Sequence, residues 1–534
     1  MNARESSMNK PTPWRLLAEW FLLIALMFVY AGDAPPMVNE AHYLVKAKNF
    51  WQPDWCAADL FASSGKAHVF FYWALGWPTQ YFSLETTAWI GRIVGWSVLA
   101  FGLMRLSHVF SRTGYASIAI AVLWIAGIEY GNLAGEWVVG GIEGKVPAYG
   151  FVLAAIAELA RRNWNRVWVL LGIASAFHVL TGGWSVIAAM FAWAVTEAGK
   201  PKRHPLLTRW LFLGGLISLA GIIPAAQLMM GTSSTDAAQA AKIYSLFRIR
   251  HHLLPSDFLT WWYIRHGIVI TILICFAIRQ RVANRLKEDE EAERRFLAFV
   301  GGAGLIAVGG LLIGLLVSIF PDLSARLLRY YWFRLSDAMI PLGMAIVVVG
   351  TLSDQDKRWR VAAKSLLVLA FLMVGYASVD RMLQRVPPSV NNRLMGWDMD
   401  SDAATKRAVF KDWLAVCNWA ALSSPENEVF LTPRHQQTFK WYSGRSEVVN
   451  WKDVPQDAIS LIEWKKRFQE VFPERLGAIR VTINYKTLRK FREQYNVRYM
   501  IVDRRVVGEH LPLLRVYPTE SSDNVNYAVY ETPK

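Results

Sequence analysis

At 534 residues, with 54% hydrophobic and only 19% charged, the chain carries more apolar sequence than a soluble enzyme needs, and that sequence comes in blocks near the length of a bilayer span. The net charge of +16 would suit nucleic acid in a soluble domain. Here the Lys and Arg residues gather in short loops between the apolar blocks, where they act as topology signals, so no nucleic-acid partner is expected. Cys56, Cys275 and Cys417 show neither metal spacing nor a disulfide framework.

The first apolar run, near 14–32, follows Arg4, Lys10 and Arg15 without a clear cleavage site and reads as a retained span. The stretch from Val38 to Trp73 then carries Glu40, His42, Asp54, Asp59 and His68 among many aromatics, within a first outer loop over 33–86. Pinned to a membrane at both ends, such a loop suits chemistry at the water interface. It equally suits an amphipathic helix lying on lipid, with Trp51, Trp55 and Phe61 in the headgroups.

Further spans are expected near 87–106, 115–131 and 146–160. The run from Val167 to Ala198 is too long for one span, and Thr181 to Gly183 supplies a break that divides it in two. Later spans fall near 209–230, 258–279, 296–319, 337–352 and 362–379, which makes about eleven. Basic loops around Arg105 and Arg112, Arg161 to Arg166, Lys200 to Arg209, Arg279 to Arg295 and Lys357 to Lys364 place the N-terminus in the cytoplasm. An odd number of spans then puts residues 381–534 outside, with Val38 to Trp73 and the loops near Glu136, His251 and Arg329.

Residues 381–534 read as a separate soluble α/β domain, beyond a transmembrane domain over 1–380. Strands are expected at EVFLTP, EVVNW, VRYMIVDRR and NYAVYETP, and helices over 403–420 and 457–471. The tail has no Gly-rich nucleotide fingerprint, P-loop or G-x-S-x-G elbow.

Three outer segments carry candidate chemistry. In GNLAGEWVVGGIEGKVPAYG, Glu136, Glu143 and Lys145 sit among glycines that allow close approach to a ligand or simply a re-entrant turn. His178, at the end of the fifth span, could face a cavity, but hydrogen bonding to a neighbouring helix is the favoured reading. In LSARLLRYYWFRLSDAMIP, Arg326, Arg329 and Arg334 oppose the positive-inside bias. Their planar forks favour an anionic ligand such as phosphate over interface anchoring with an Arg334–Asp337 helix pair. Lys242, Arg248, Arg250, His251 and His252 add positive charge in the third outer loop.

A cytoplasmic N-terminus, an acidic first outer loop, about eleven spans, outer arginines and a terminal outer α/β domain together resemble the GT-C type of glycosyltransferase. That class includes protein O-mannosyltransferases, aminoarabinose transferases and oligosaccharyltransferases. Its first outer loop typically has an acidic pair just after the first span, and the matching residues here are Asn39-Glu40, followed by Ala41-His42-Tyr43.

The resemblance implies a polytopic α-helical membrane protein that transfers a sugar from a polyprenyl-phosphate donor. The acceptor would be an envelope glycan, lipid or protein, and the setting a bacterial inner membrane. It gives Glu40 the catalytic role and makes Arg329 and Arg334 partners of the lipid phosphate. His42, Asp54, Asp59, His68, Glu136, Glu143, Lys145 and His178 are the further substrate-binding candidates. Members of the class differ in metal use, so a divalent metal is left open, with Asp54, Asp59, His68, Glu136 and Glu143 as its candidate ligands. Two other readings stay open: a transporter or flippase of a lipid-linked or anionic solute, and a non-catalytic scaffold for envelope assembly.

Overall fold

The computed structural model describes residues 12–37, 39–111, 115–282, 287–384, 402–434, 436–472, 485–508, 510–519 and 523–534. Arg4, Lys10 and Arg112, part of the Arg279 to Arg295 run and residues 385–401 of the proposed tail lie outside the described residues. Each apolar run has become a helix. Eight are long and apolar enough to cross a membrane: Pro13–Ala31, Leu84–Phe110, Val179–Glu197, Arg209–Gln227, Thr260–Val282, Glu290–Leu315, Arg334–Thr351 and Lys357–Leu383. The runs near 115–131, 146–160 and 167–180 form Ala116–Gly131, Lys145–Ala160 and Trp164–Phe177, of 16, 16 and 14 residues. These are shorter than a straight crossing requires. The chain is a polytopic helical membrane protein with a small terminal sheet.

The break in the long run falls at His178, not at Thr181 to Gly183, which are helical. His178 ends one helix and caps the next, its Nδ1 lying 3.0 Å from Thr181 Oγ1. Gly182 serves packing instead: a Cβ there would lie 2.3 Å from the backbone of Ser175 on the adjacent helix.

At one end of the bundle, basic residues meet buried carboxylates. Glu158 receives Arg105, Arg161 and Arg166; Glu197 receives Arg162 at 2.7 Å; and Asp354 receives Arg279 at 2.6 Å. The opposite end carries the first loop, folded as Glu40–Trp51, Leu60–Ser63 and Val69–Leu75. The aromatics left bare there are Trp73, Trp77, Tyr81 and Phe82, whereas Phe61 is buried and Trp51 and Trp55 are half-buried. Phe61 packs on the His42 ring, and the Trp51 indole donates to Tyr72 O at 2.8 Å. The exposed aromatics suited to an interface are therefore those of the 73–82 stretch, not the residues expected from sequence.

The tail forms a mixed sheet from β1 (Val429–Leu431), β2 (Ser446–Glu447), β3 (Val497–Asp503), β4 (Arg515–Tyr517) and β5 (Tyr527–Glu531). The order is β2-β1-β3-β5-β4. β1 runs parallel to β2 and β3, and β5 runs antiparallel to β3 and β4. Helix Ala403–Ser423 covers one face through Val409, Trp413 and Val416. Helix Ala458–Val471 covers the other through Leu461, Trp464 and Phe468. Ala240 and Ile243, from the segment between helices Arg209–Gln227 and Thr260–Val282, belong to that second apolar cluster. EVVNW yields only the end of a two-residue strand, and sequence gave no sign of β4 or of helix Tyr485–Tyr495.

The tail also sits on the first loop. Asp457 accepts from Gly65 N at 2.9 Å, and Gln456 Oε1 accepts from Ala67 N at 3.3 Å. Below them a four-member buried cluster joins the two: Lys440 Nζ lies 3.1 Å from Asp59, 2.6 Å from Glu447 and 2.6 Å from Asp453.

Candidate functional site

Where first loop, tail and helix ends meet, they enclose a cavity of about 580 Å³. Its wall includes Asn39, His42, Tyr43 and His68 of the first loop, Glu136, Trp137, Glu143 and Lys145 of the second, and His178 at the helix break. The 244–252 segment gives Tyr244, Arg248, His251 and His252; the 329–334 segment gives Arg329, Tyr331 and Arg334; and the tail gives Lys452 and Gln456. One side is apolar, formed by Val179, Leu180, Ile222, Ala225, Ala226 and Leu228. That side continues along helix Arg209–Gln227, whose Phe212 and Leu216 are 68% and 66% exposed, a surface suited to lipid.

Of the residues expected from sequence, His42, His68, Glu136, Glu143, Lys145, His178, Arg329 and Arg334 share this cavity. Glu40, Asp54 and Asp59 do not. Glu40 is fully buried, and its carboxylate is saturated. Arg92 donates to Oε1 from Nε at 2.6 Å and to Oε2 from Nη2 at 2.5 Å. Ile142 N donates to Oε1 and Met37 N to Oε2, each at 2.8 Å. A Cβ at Gly141 would lie 2.7 Å from the Glu40 side chain, so that glycine is what lets the 136–145 loop close on the carboxylate. Glu40 thus holds three segments together and has no lone pair left for a reacting proton.

Asp54 is exposed and away from the cavity. Asp59 caps helix Leu60–Ser63, accepting from Ala62 N at 2.8 Å, and spends its other oxygen on Glu447 N and Lys440. Asp337 does not pair with Arg334. It accepts from Leu133 N and Ala134 N, both at 2.8 Å, and fixes the start of the second loop.

Within the cavity Arg334 is the hub. Its Nε donates to Glu136 Oε2 and its Nη1 to His178 Nε2, both at 3.1 Å, and its other three N–H donors have no partner among the described residues. The guanidinium also stacks 4.2 Å over Tyr331, whose φ of 53° turns the chain so that both side chains serve one site. His178 therefore does both things considered for it, lining the cavity and bonding a neighbouring helix. Lys145 Nζ lies between two carboxylates, 3.3 Å from Glu136 and 3.7 Å from Glu143, and 3.9 Å over the Trp137 ring.

Glu143 differs from every other carboxylate on this wall. It is 3% exposed, and its Oε1 has no hydrogen-bond partner among the described residues. Burial raises its pKa above the ordinary range, against the pull of Lys145. The histidines are held neutral: burial and then Arg334 bring His68 down to about 4, and burial and then His251 bring His252 down to about 3. His42 is lowered by burial, with Lys46 and Lys452 adding repulsion.

Charge on the wall is unequal. Glu136 and Glu143 answer Lys145 and Arg334, while Arg248, Arg329 and Lys452 form no ion pair among the described residues. The excess is positive and suits an anion. The donor set does not suit a divalent metal, because no three His, Cys, Asp or Glu side chains converge among the described residues and an ammonium already lies between Glu136 and Glu143.

Lys452, Gln456, Tyr43 and Tyr244 were missed from sequence. Gln456 Nε2 lies 3.4 Å from His68 Nε2, and Tyr43 OH lies 3.3 Å from the same nitrogen, so two distant segments meet at one imidazole.

Fold and site together define a polytopic helical membrane protein with a cavity between its inter-helix loops and a terminal α/β domain. Residues 411–471 match the family model described as a domain of unknown function, DUF6798. No curated protein matches the chain in sequence. Among solved structures, the chain is similar to the oligosaccharyltransferase of Archaeoglobus fulgidus tethered with an acceptor peptide, at 11% identity over 92% of this chain and 69% of that one, with a TM-score of 0.44. It is also similar to ArnT from Cupriavidus metallidurans in the apo state, at 12% identity over 97% and 98% of the two chains, with a TM-score of 0.38.

Proposed function

We propose that the chain is a membrane glycosyltransferase that moves a sugar from a polyprenyl-phosphate donor to an acceptor hydroxyl, with this cavity as the active site. The observation that carries the proposal is the pairing of Glu143, a buried carboxylate with an unused oxygen, and an excess of cations beside an apolar wall open toward lipid. The isoprenoid chain would lie along Ile222 to Leu228, and the phosphate would take the free donors of Arg334 together with Arg329. Glu143, with its raised pKa, would accept the proton of the acceptor hydroxyl as that oxygen bonds to the anomeric carbon. The bond from that carbon to the phosphate oxygen breaks in the same step, and its electron pair stays on the phosphate, where the arginines oppose the new charge.

Glu143 takes the role that sequence had given Glu40. By packing and by its basic end, the chain would sit in a bacterial inner membrane with cavity and tail outside. Purified full-length protein in nanodiscs, supplied with polyprenyl-phospho-sugars and a panel of envelope acceptors, should release polyprenyl phosphate. Binding of the donor without release by wild type would overturn the enzyme reading and favour a transporter or scaffold.

A further inference from the structure

Arg248 and Lys452 come from segments about 200 residues apart in sequence and are held side by side in the cavity wall. Arg248 ends a six-residue π-helix, Ile243–Arg248, a wound-out turn of the kind often found at functional sites. It is 6% exposed, donates from Nε to Trp451 O at 2.8 Å, and stacks 4.6 Å over the Trp451 ring. The next residue is Lys452. Its backbone N donates to Asn450 Oδ1 at 2.8 Å, so the turn that carries it is fixed, while its ammonium makes no hydrogen bond or ion pair among the described residues. Arg248 weighs on its neighbour: Lys452 is brought down to about 8 by burial and then by Arg248, and burial brings Arg248 to about 10.

Two like charges, buried and adjacent, with only a carbonyl and a ring as contact partners and with Glu143 and Asp453 opposing them without an ion pair among the described residues, cost free energy that a bound anion would recover. Arg329 and Arg334 already supply the phosphate site of the proposed reaction, and they belong to another segment. Resting on that glycosyltransferase reading, we infer that Arg248 and Lys452 form a second phosphoryl subsite in the same cavity, so that two phosphoryl groups are bound there at once. Continuity of the cavity favours a diphosphate-linked donor as their common source, one phosphate at Arg329 and Arg334 and the other at Arg248 and Lys452. A phosphate carried by the acceptor is the other source of the same chemistry.

Full-length protein in nanodiscs should bind polyprenyl diphosphate at least about tenfold more tightly than polyprenyl monophosphate, the scale of one additional charge-assisted contact. Lys452→Gln and Arg248→Gln should each erase that preference and leave monophosphate affinity in place. If wild type shows no preference, inorganic phosphate is titrated onto protein loaded with the monophosphate lipid. Saturable binding that Lys452→Gln abolishes would keep the subsite and assign its phosphate to the acceptor. No preference and no phosphate binding would overturn the subsite while leaving the enzyme reading intact, whereas failure to bind either lipid would overturn both.

Discussion

Two acidic centres meet at the 136–145 loop, Glu40 packed against it and Glu143 within it, and their contrast is instructive. At Glu40 each oxygen receives two donors and the charge is matched by Arg92, so the centre is closed. At Glu143 one oxygen is unused, the nearest ammonium stands 3.7 Å away, and the wall opens into the cavity. Depth of burial is similar, so burial alone does not mark a reactive carboxylate. What separates them is whether hydrogen-bonding capacity is spent on the fold or kept available.

The largest effect expected from this contrast is on turnover. Glu143→Gln should lower sugar transfer by roughly two to four orders of magnitude, the range of general acid-base catalysis, with donor affinity and thermal unfolding little changed. Steady-state kinetics beside a melting curve checks both, and an unaffected rate would remove Glu143 from the mechanism. Glu40→Gln should act the other way round. It strands Arg92 in a buried site, which costs about 3–5 kcal/mol, and should appear as a marked loss of thermal stability; a variant as stable as wild type would show the pair to be dispensable.

Smaller effects belong to the cations. Arg334→Lys keeps the charge but cannot donate to Glu136 and His178 at once, so polyprenyl-phosphate affinity should fall about tenfold, and Arg329→Lys should cost less. Equal affinity in both lysine variants would leave these arginines as interface anchors.

The pH profile of polyprenyl diphosphate binding gives a finer test. Lys452 is charged below about 8 and neutral above, with Arg248, Glu143 and Asp453 as the charges around it. Affinity should therefore be flat at low pH and fall as pH rises through about 8, and Lys452→Arg should remove that step. The least effect is expected from Asp54→Asn, since Asp54 is exposed and outside the cavity; a substantial drop in rate there would mean that the cavity is larger than its wall suggests.

Local pattern made most of the helices legible. Apolar length marked every long helix, and the basic loops marked the end where Glu158, Glu197 and Asp354 collect arginines. Eight of the eleven proposed site residues share a wall because inter-helix segments of unusual polarity do converge. What could not be read was partnership across the chain. Glu40 finds Arg92 52 positions later, and the hydrogen bond from Glu447 N to Asp59 spans 388. Neither pairing leaves a local trace, so a spent carboxylate and an available one look the same in sequence. The Thr-Gly-Gly error has the same origin: Gly182 answers a neighbouring helix, and only the fold shows that helix.

The docking of the tail through Lys440 and Asp59 has a consequence for how the protein is made. Helices can insert as they emerge from the ribosome, long before residues 440–456 have been translated. A nascent chain at that stage holds Glu143 and the arginines but lacks Lys452, Gln456 and the cluster that seats them against His68. Completion of the pocket is thereby postponed until residues 440–456 have been made. A chain that stalls before then is left with a site that has one wall missing.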